Sequence, residues 1–100
     1  MAQIQSSIDY RATESLADDA SHALPAQAYG SVFVQAEDDE GGVWAIEPSG
    51  NVKLVSGTTN TADTDFDTAL CVFNNAGVVT IKNRLGATKT VGIVAQMHGG

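Results

Sequence analysis

Tyr29-Gly30-Ser31-Val32-Phe33-Val34-Gln35-Ala36 decides how the rest of the chain is read. The stretch is rich in β-branched and aromatic residues, which pack well on a pleated surface, so it reads as a strand. Glu37-Asp38-Asp39-Glu40-Gly41-Gly42 follows as a solvated turn, and Val43-Trp44-Ala45-Ile46 as the next strand. Glu47-Pro48-Ser49-Gly50 has Pro second and Gly fourth, the signature of a type I turn. Asn51-Val52-Lys53-Leu54-Val55 alternates apolar and polar, as a half-buried strand does.

The same grammar continues in both directions. Toward the N-terminus, Ala12 to Leu16 and Ser21 to Leu24 are short strand candidates separated by Asp18-Asp19. Residues 1–11 are polar with isolated Ile4 and Ile8, and read as a short arm ordered against a partner. Toward the C-terminus, the polar stretch Ser56 to Asp65 reads as a long loop, a common location for function. Thr68 to Phe73, Val78 to Asn83 and Lys89 to Ala95 read as strands. Asn74-Asn75-Ala76-Gly77 and Arg84-Leu85-Gly86-Ala87 are the turns between them. Seven or eight short strands at roughly 8–12-residue spacing predict one all-β domain, an antiparallel β-sandwich of jelly-roll type. The expected divisions are an arm at 1–11, the domain at 12–97 and a tail at 98–100. The expected core is Val32, Val34, Trp44, Ile46, Val52, Leu54, Leu70, Val72, Val79, Ile81, Val91 and Ile93.

A chain of 100 residues is one domain with one modest core. The net charge of −7 argues against nucleic acid and against an anionic membrane surface, since both require clustered Lys and Arg. All 12 carboxylates lie at or before Asp67, with two of the five basic residues, so residues 1–67 carry −10. Lys82, Arg84 and Lys89 make residues 68–100 +3. These opposite charges pair within the fold, pair between subunits, or simply stay in water. No apolar run approaches the roughly 18 residues of a membrane span, and no signal peptide is expected. The protein is expected to be made in a cytoplasm.

Few residues carry recognisable chemistry. Cys71 sits in Leu70-Cys71-Val72-Phe73, so a buried, inert thiol is expected, and a lone cysteine forms no intrachain disulfide. Asp63, Asp65 and Asp67 alternate like the first ligands of a calcium loop. The remainder of that motif is missing, with Thr68 where Gly is expected and Asn74 where Glu is expected. Calcium at these three is the cofactor candidate; the alternative is a solvated loop with Asp side chains capping backbone N–H groups. Glu37-Asp38-Asp39-Glu40 reads as charge left in water at a hairpin tip; the other readings are a bound cation and charge that discourages edge pairing. His22 and His98 lack zinc-ligand spacing. No phosphate loop, nucleophile elbow or metalloprotease motif occurs, so no catalytic residue is assigned and no enzyme is expected. Tyr29, Trp44 and Phe66 would form a sugar-stacking platform if exposed, although Trp44 reads as core.

Four segments carry a resemblance. Ser15-Leu16-Ala17-Asp18-Asp19-Ala20, Gly30-Ser31-Val32-Phe33-Val34, Cys71-Val72-Phe73-Asn74 and Val79-Thr80-Ile81-Lys82-Asn83-Arg84-Leu85-Gly86 resemble, in order, small structural proteins of tailed bacteriophages. The resemblance spans about residues 12–95. It implies a virion component on the capsid surface: a head decoration (cement) protein, or a piece of a head or tail fibre. Such proteins are β-rich, non-catalytic and oligomeric, often trimers. The implied partners are other copies of the chain and the phage major capsid protein. Ile4, Ile8, Tyr29, Phe66 and Arg84 are the candidate partner-binding residues. The alternative function is a glycan- or receptor-binding module of a fibre, with an unrelated β-sandwich accessory domain behind it.

Overall fold

The computed structural model describes residues 7–24, 29–37 and 40–98. The described residues form strands and turns, with no helix. In chain order the strands are β1 (Ser7–Leu16), β2 (Ser21–Ala23), β3 (Tyr29–Ala36), β4 (Gly41–Ile46), β5 (Val52–Gly57), β6 (Thr61–Ala62), β7 (Leu70–Asn75), β8 (Val78–Asn83) and β9 (Lys89–His98). They make two sheets, one ordered β1-β9-β3-β4-β5 and the other β2-β8-β7-β6. The all-β expectation holds.

The chain ends organise both sheets. β1 lies antiparallel to β9 from Ser7↔His98 to Leu16↔Lys89. The chain then crosses at Ala17–Ala20, and β2 pairs with β8. The segments β1-β2 and β9-β8 therefore run together as one ribbon from sheet to sheet. Between them, β3, β4 and β5 form successive antiparallel neighbours.

Alternation builds the core. β3 buries Val32, Val34 and Ala36 and exposes Ser31, Phe33 and Gln35, as a pleat with one solvated face requires. Buried residues from both sheets form one cluster around Trp44, Leu70, Ile81, Ile93 and Met97. Eleven of the twelve expected core residues are buried; Leu54 is partly buried and packs against the cluster. It stands on β5 beside a register shift between Val43 and Trp44, which leaves Val55 as the extra, exposed residue.

Several boundaries differ from expectation. Residues 7–11 belong to β1 rather than to an arm, because β9 extends to His98 and pairs with them. His98, expected in the tail, closes β9. β6 lies in the expected long loop and pairs parallel to β7, so the domain is not wholly antiparallel. At Ala76-Gly77 the two φ angles are 52° and 92°, and Asn75 faces Val78. This two-residue hairpin turn needs positive φ at both positions, which Gly77 accepts readily and Ala76 does not.

A candidate contact loop around Phe66

β6 and β7 are joined by Asp63–Ala69, which crosses the end of the molecule where β8 finishes. Phe66 stands near the middle of this loop with 61% of its surface exposed. The backbone on either side of it is held. Phe66 N–H donates to Cys71 Sγ at 3.4 Å, and the Cys71 thiol donates back to Phe66 O at 3.3 Å. Asp65 accepts from Arg84 Nη1 at 3.0 Å and from Lys82 Nζ at 3.3 Å. Arg84 also reaches Asp19 at 3.2 Å and Asp67 at 3.6 Å. Asp67 caps Thr68 N–H at 2.9 Å. Thr68 has φ 71°, an uncommon conformation for a β-branched residue that persists only where its surroundings enforce it.

Electrostatics follow the geometry. The Arg84 guanidinium holds the Asp65 carboxyl below its ordinary range, against a desolvation effect that opposes it, and Lys82 adds to the lowering. Asp65 in turn pushes Arg84 up. Burial pushes the Cys71 thiol up, so it is protonated and shielded, as expected of an inert cysteine. Lys82 and Arg84 thus answer the charge asymmetry within the chain.

Asn83 anchors this end. It is fully buried at the end of β8. Its Nδ2 donates to Leu16 O at 2.9 Å and Ala87 O at 2.8 Å, and its Oδ1 accepts from Leu85 N–H at 2.9 Å. The sequence reading placed Asn83 only at a strand end and missed this role. A polar residue closing an apolar strand just before a turn is the sequence feature that marks it.

The expected site residues divide between the two ends. Phe66 and Arg84 come together here through Asp65 and Asp67. Tyr29, at the start of β3 opposite His98, lies at the other end, so it cannot share a platform with Phe66. Trp44 is buried and donates from Nε1 to Ala62 O at 2.9 Å, which removes it from any platform. Ile8 lies in β1 opposite Met97. Ile4 lies outside the described residues. The three alternating aspartates do not converge: Asp63 accepts from Leu54 N–H at 2.9 Å, while Asp65 and Asp67 take the contacts given above. Among the described residues no three His, Cys, Asp or Glu side chains gather as a metal site. Glu37 caps Thr90 N–H at 2.7 Å, and Glu40 accepts from the Thr58 hydroxyl and from Asn60, so both are tied to the chain rather than left as free charge. Asp38 and Asp39 lie outside the described residues. His22 Nε2 is 2.7 Å from the Tyr10 hydroxyl, where the edges of the two sheets face each other.

A second feature lies on the outer face of the larger sheet. Arg11, Thr13, Phe33, Gln35, Gly92 and Val94 border an open groove of about 420 Å³. Gly92 makes the hollow: a Cβ there would meet only Gln35 O, at 3.9 Å. Glycine within a strand pattern was its sequence signal. Comparison with protein-family models, with curated proteins and with solved structures gives no match.

Proposed function

We propose that this chain is a non-enzymatic virion structural protein, a decoration (cement) protein that seats on a phage head as a homo-oligomer and stabilises it by adding contact area between capsid subunits. The observation that carries this reading is the pinned Phe66. A half-exposed aromatic on a loose loop loses rotamer and backbone freedom when it docks. Here ion pairs, a cap and the Cys71 contacts have already fixed the loop, so docking costs less. The ribbon of β1-β2 with β9-β8, wrapped over both sheets, supports a jelly-roll-like sandwich. On a symmetric shell one modest contact is repeated many times, which supplies avidity. The partner is the major capsid protein. The protein is made in the host cytoplasm and ends on the virion surface.

Burying Phe66 at such a contact is worth about 2 kcal/mol per copy. Cosedimentation with intact heads of the encoding phage tests this. Wild type is expected to pellet with heads, and Phe66→Ala to bind about thirtyfold more weakly at each site. Wild type remaining in the supernatant would overturn the reading.

The groove over Gly92 favours a second reading, a glycan-binding module of a fibre. Phe33 offers a stacking surface, and Arg11 and Thr13 offer polar groups. Gly92→Leu would fill the groove without touching Phe66. Glycan-array binding lost in that variant would favour this reading over the cement one.

A further inference from the structure

β1 is the long, unbroken sheet edge among the described residues, guarded only by the charges of Asp9, Arg11 and Glu14. Among the described residues the sheets have four edge strands: β1, β5, β2 and β6. β6 has 2 residues and β2 has 3, too short to template another strand. β5 is interrupted by the register shift opposite Val43 and Trp44. Short strands and bulges are how proteins blunt edges. β1 has 10 residues, SIDYRATESL, with no proline and no glycine, and among the described residues it pairs in unbroken register with β9 on one side only.

We infer that two copies of this chain pair through β1, antiparallel about a two-fold axis, joining their larger sheets into one continuous sheet. Nothing in this pairing depends on the capsid reading. With the axis normal to the sheet, both cores stay on the same side, and residues opposite each other share a face. Asp9, Arg11, Thr13 and Ser15 are exposed and form the outer face, while Tyr10, Ala12, Glu14 and Leu16 face inward. Only residues of matching parity therefore meet. With Tyr10 on the axis, Asp9 meets Arg11 of the second copy and Arg11 meets its Asp9. With Asp9 or Arg11 on the axis, like charges meet head-on. With Ala12 or Thr13 on the axis, no opposite charges meet directly. The Tyr10 register is thus selected by charge. Within one chain Arg11 Nη2 already stands 3.6 Å from Asp9, so the dimer would close a ring of four alternating charges. A two-fold contact of this kind builds dimers, not the trimer implied by the phage resemblance.

Sedimentation equilibrium over a wide concentration range tests this, with circular dichroism to verify folding. Wild type is expected to dimerise. Asp9→Arg sets guanidinium against guanidinium at both contacts, and Arg11→Asp sets carboxylate against carboxylate. Each variant alone should therefore dimerise at least about tenfold more weakly. Mixing the two variants restores opposite charges at both contacts, and the mixture should dimerise like wild type. A wild type that stays monomeric would overturn the inference. So would single variants that dimerise as wild type does, or a mixture that gains nothing over its components.

Discussion

Removing the Asn83 side chain tests whether this end of the domain is held as described. Asn83→Ala deletes two short donations, to Leu16 O at 2.9 Å and Ala87 O at 2.8 Å, and one acceptance, from Leu85 N–H at 2.9 Å. Each such bond contributes about 1 kcal/mol net, and groups left buried without a partner add a further penalty. The sum is about 3–4 kcal/mol, a large share of the roughly 5–15 kcal/mol that holds a domain of this size. Asn83→Asp keeps the shape and can still accept from Leu85, but it aims a buried carboxylate at two carbonyls. It should be the worse variant at neutral pH. Asn51→Ala, whose side chain makes one exposed 3.4 Å contact with Glu47, should cost less than about 0.5 kcal/mol. Urea unfolding followed by the fluorescence of Trp44, fully buried in the native state, reads all three. A thermal midpoint about 15 °C lower is the corresponding melt for Asn83→Ala. Asn83→Ala within about 1 kcal/mol of wild type, or Asn83→Asp milder than Asn83→Ala, would refute the reasoning.

The remaining predictions concern the loop and its neighbours. Thr68→Gly removes a β-branched residue from φ 71° and should stabilise by about 1 kcal/mol in urea unfolding, the strain relieved exceeding the added chain entropy. Ala76→Asn should give a similar, smaller gain in the melt, since Asn tolerates the positive φ of the β7–β8 turn. Asp65 titrates below its ordinary value in the fold, so its contribution is present above the unfolded pKa and is lost as pH falls through the folded one. Asp65→Asn should therefore flatten the loss of melting temperature below about pH 4, and an unchanged acid limb would count against the Arg84 and Lys82 pairing. Cys71 should react with a disulfide reagent only at the rate of unfolding, and fast labelling of the native protein would contradict its burial.

The fold was legible wherever the signal was local. β3 and β8 match their predicted limits, since alternation in Val32-Phe33-Val34 and the run from Val78 to Ile81 needs no distant partner to be seen. What failed depended on pairing across the chain. Asp9 and Arg11 are exposed, and residues 7–11 read as an arm until β9 is placed beside them. Met97 continues the alternation of Val91, Ile93 and Ala95, but β9 reaches it only because Ile8 and Gly30 pair there, and Leu24 is buried beside Val79. β6 is two residues in a polar loop, visible only through its parallel bonds to β7. The candidate site was half legible. Phe66 and Arg84 were singled out separately, but the ion pairs that join them, and the fixing of Thr68, are products of tertiary contact. Tyr29 was grouped with Phe66 by residue type alone, and the topology separates them.

The proposal of a cement role makes one demand on the whole particle: the protein must strengthen the shell that it covers. Heads of the encoding phage, prepared with and without the protein, can be heated while genome release is followed with a DNA-binding dye. Heads carrying the protein are expected to release DNA at a higher temperature, adding wild type to bare heads should restore that temperature, and adding Phe66→Ala should not. Bare and decorated heads releasing DNA at the same temperature would contradict the account.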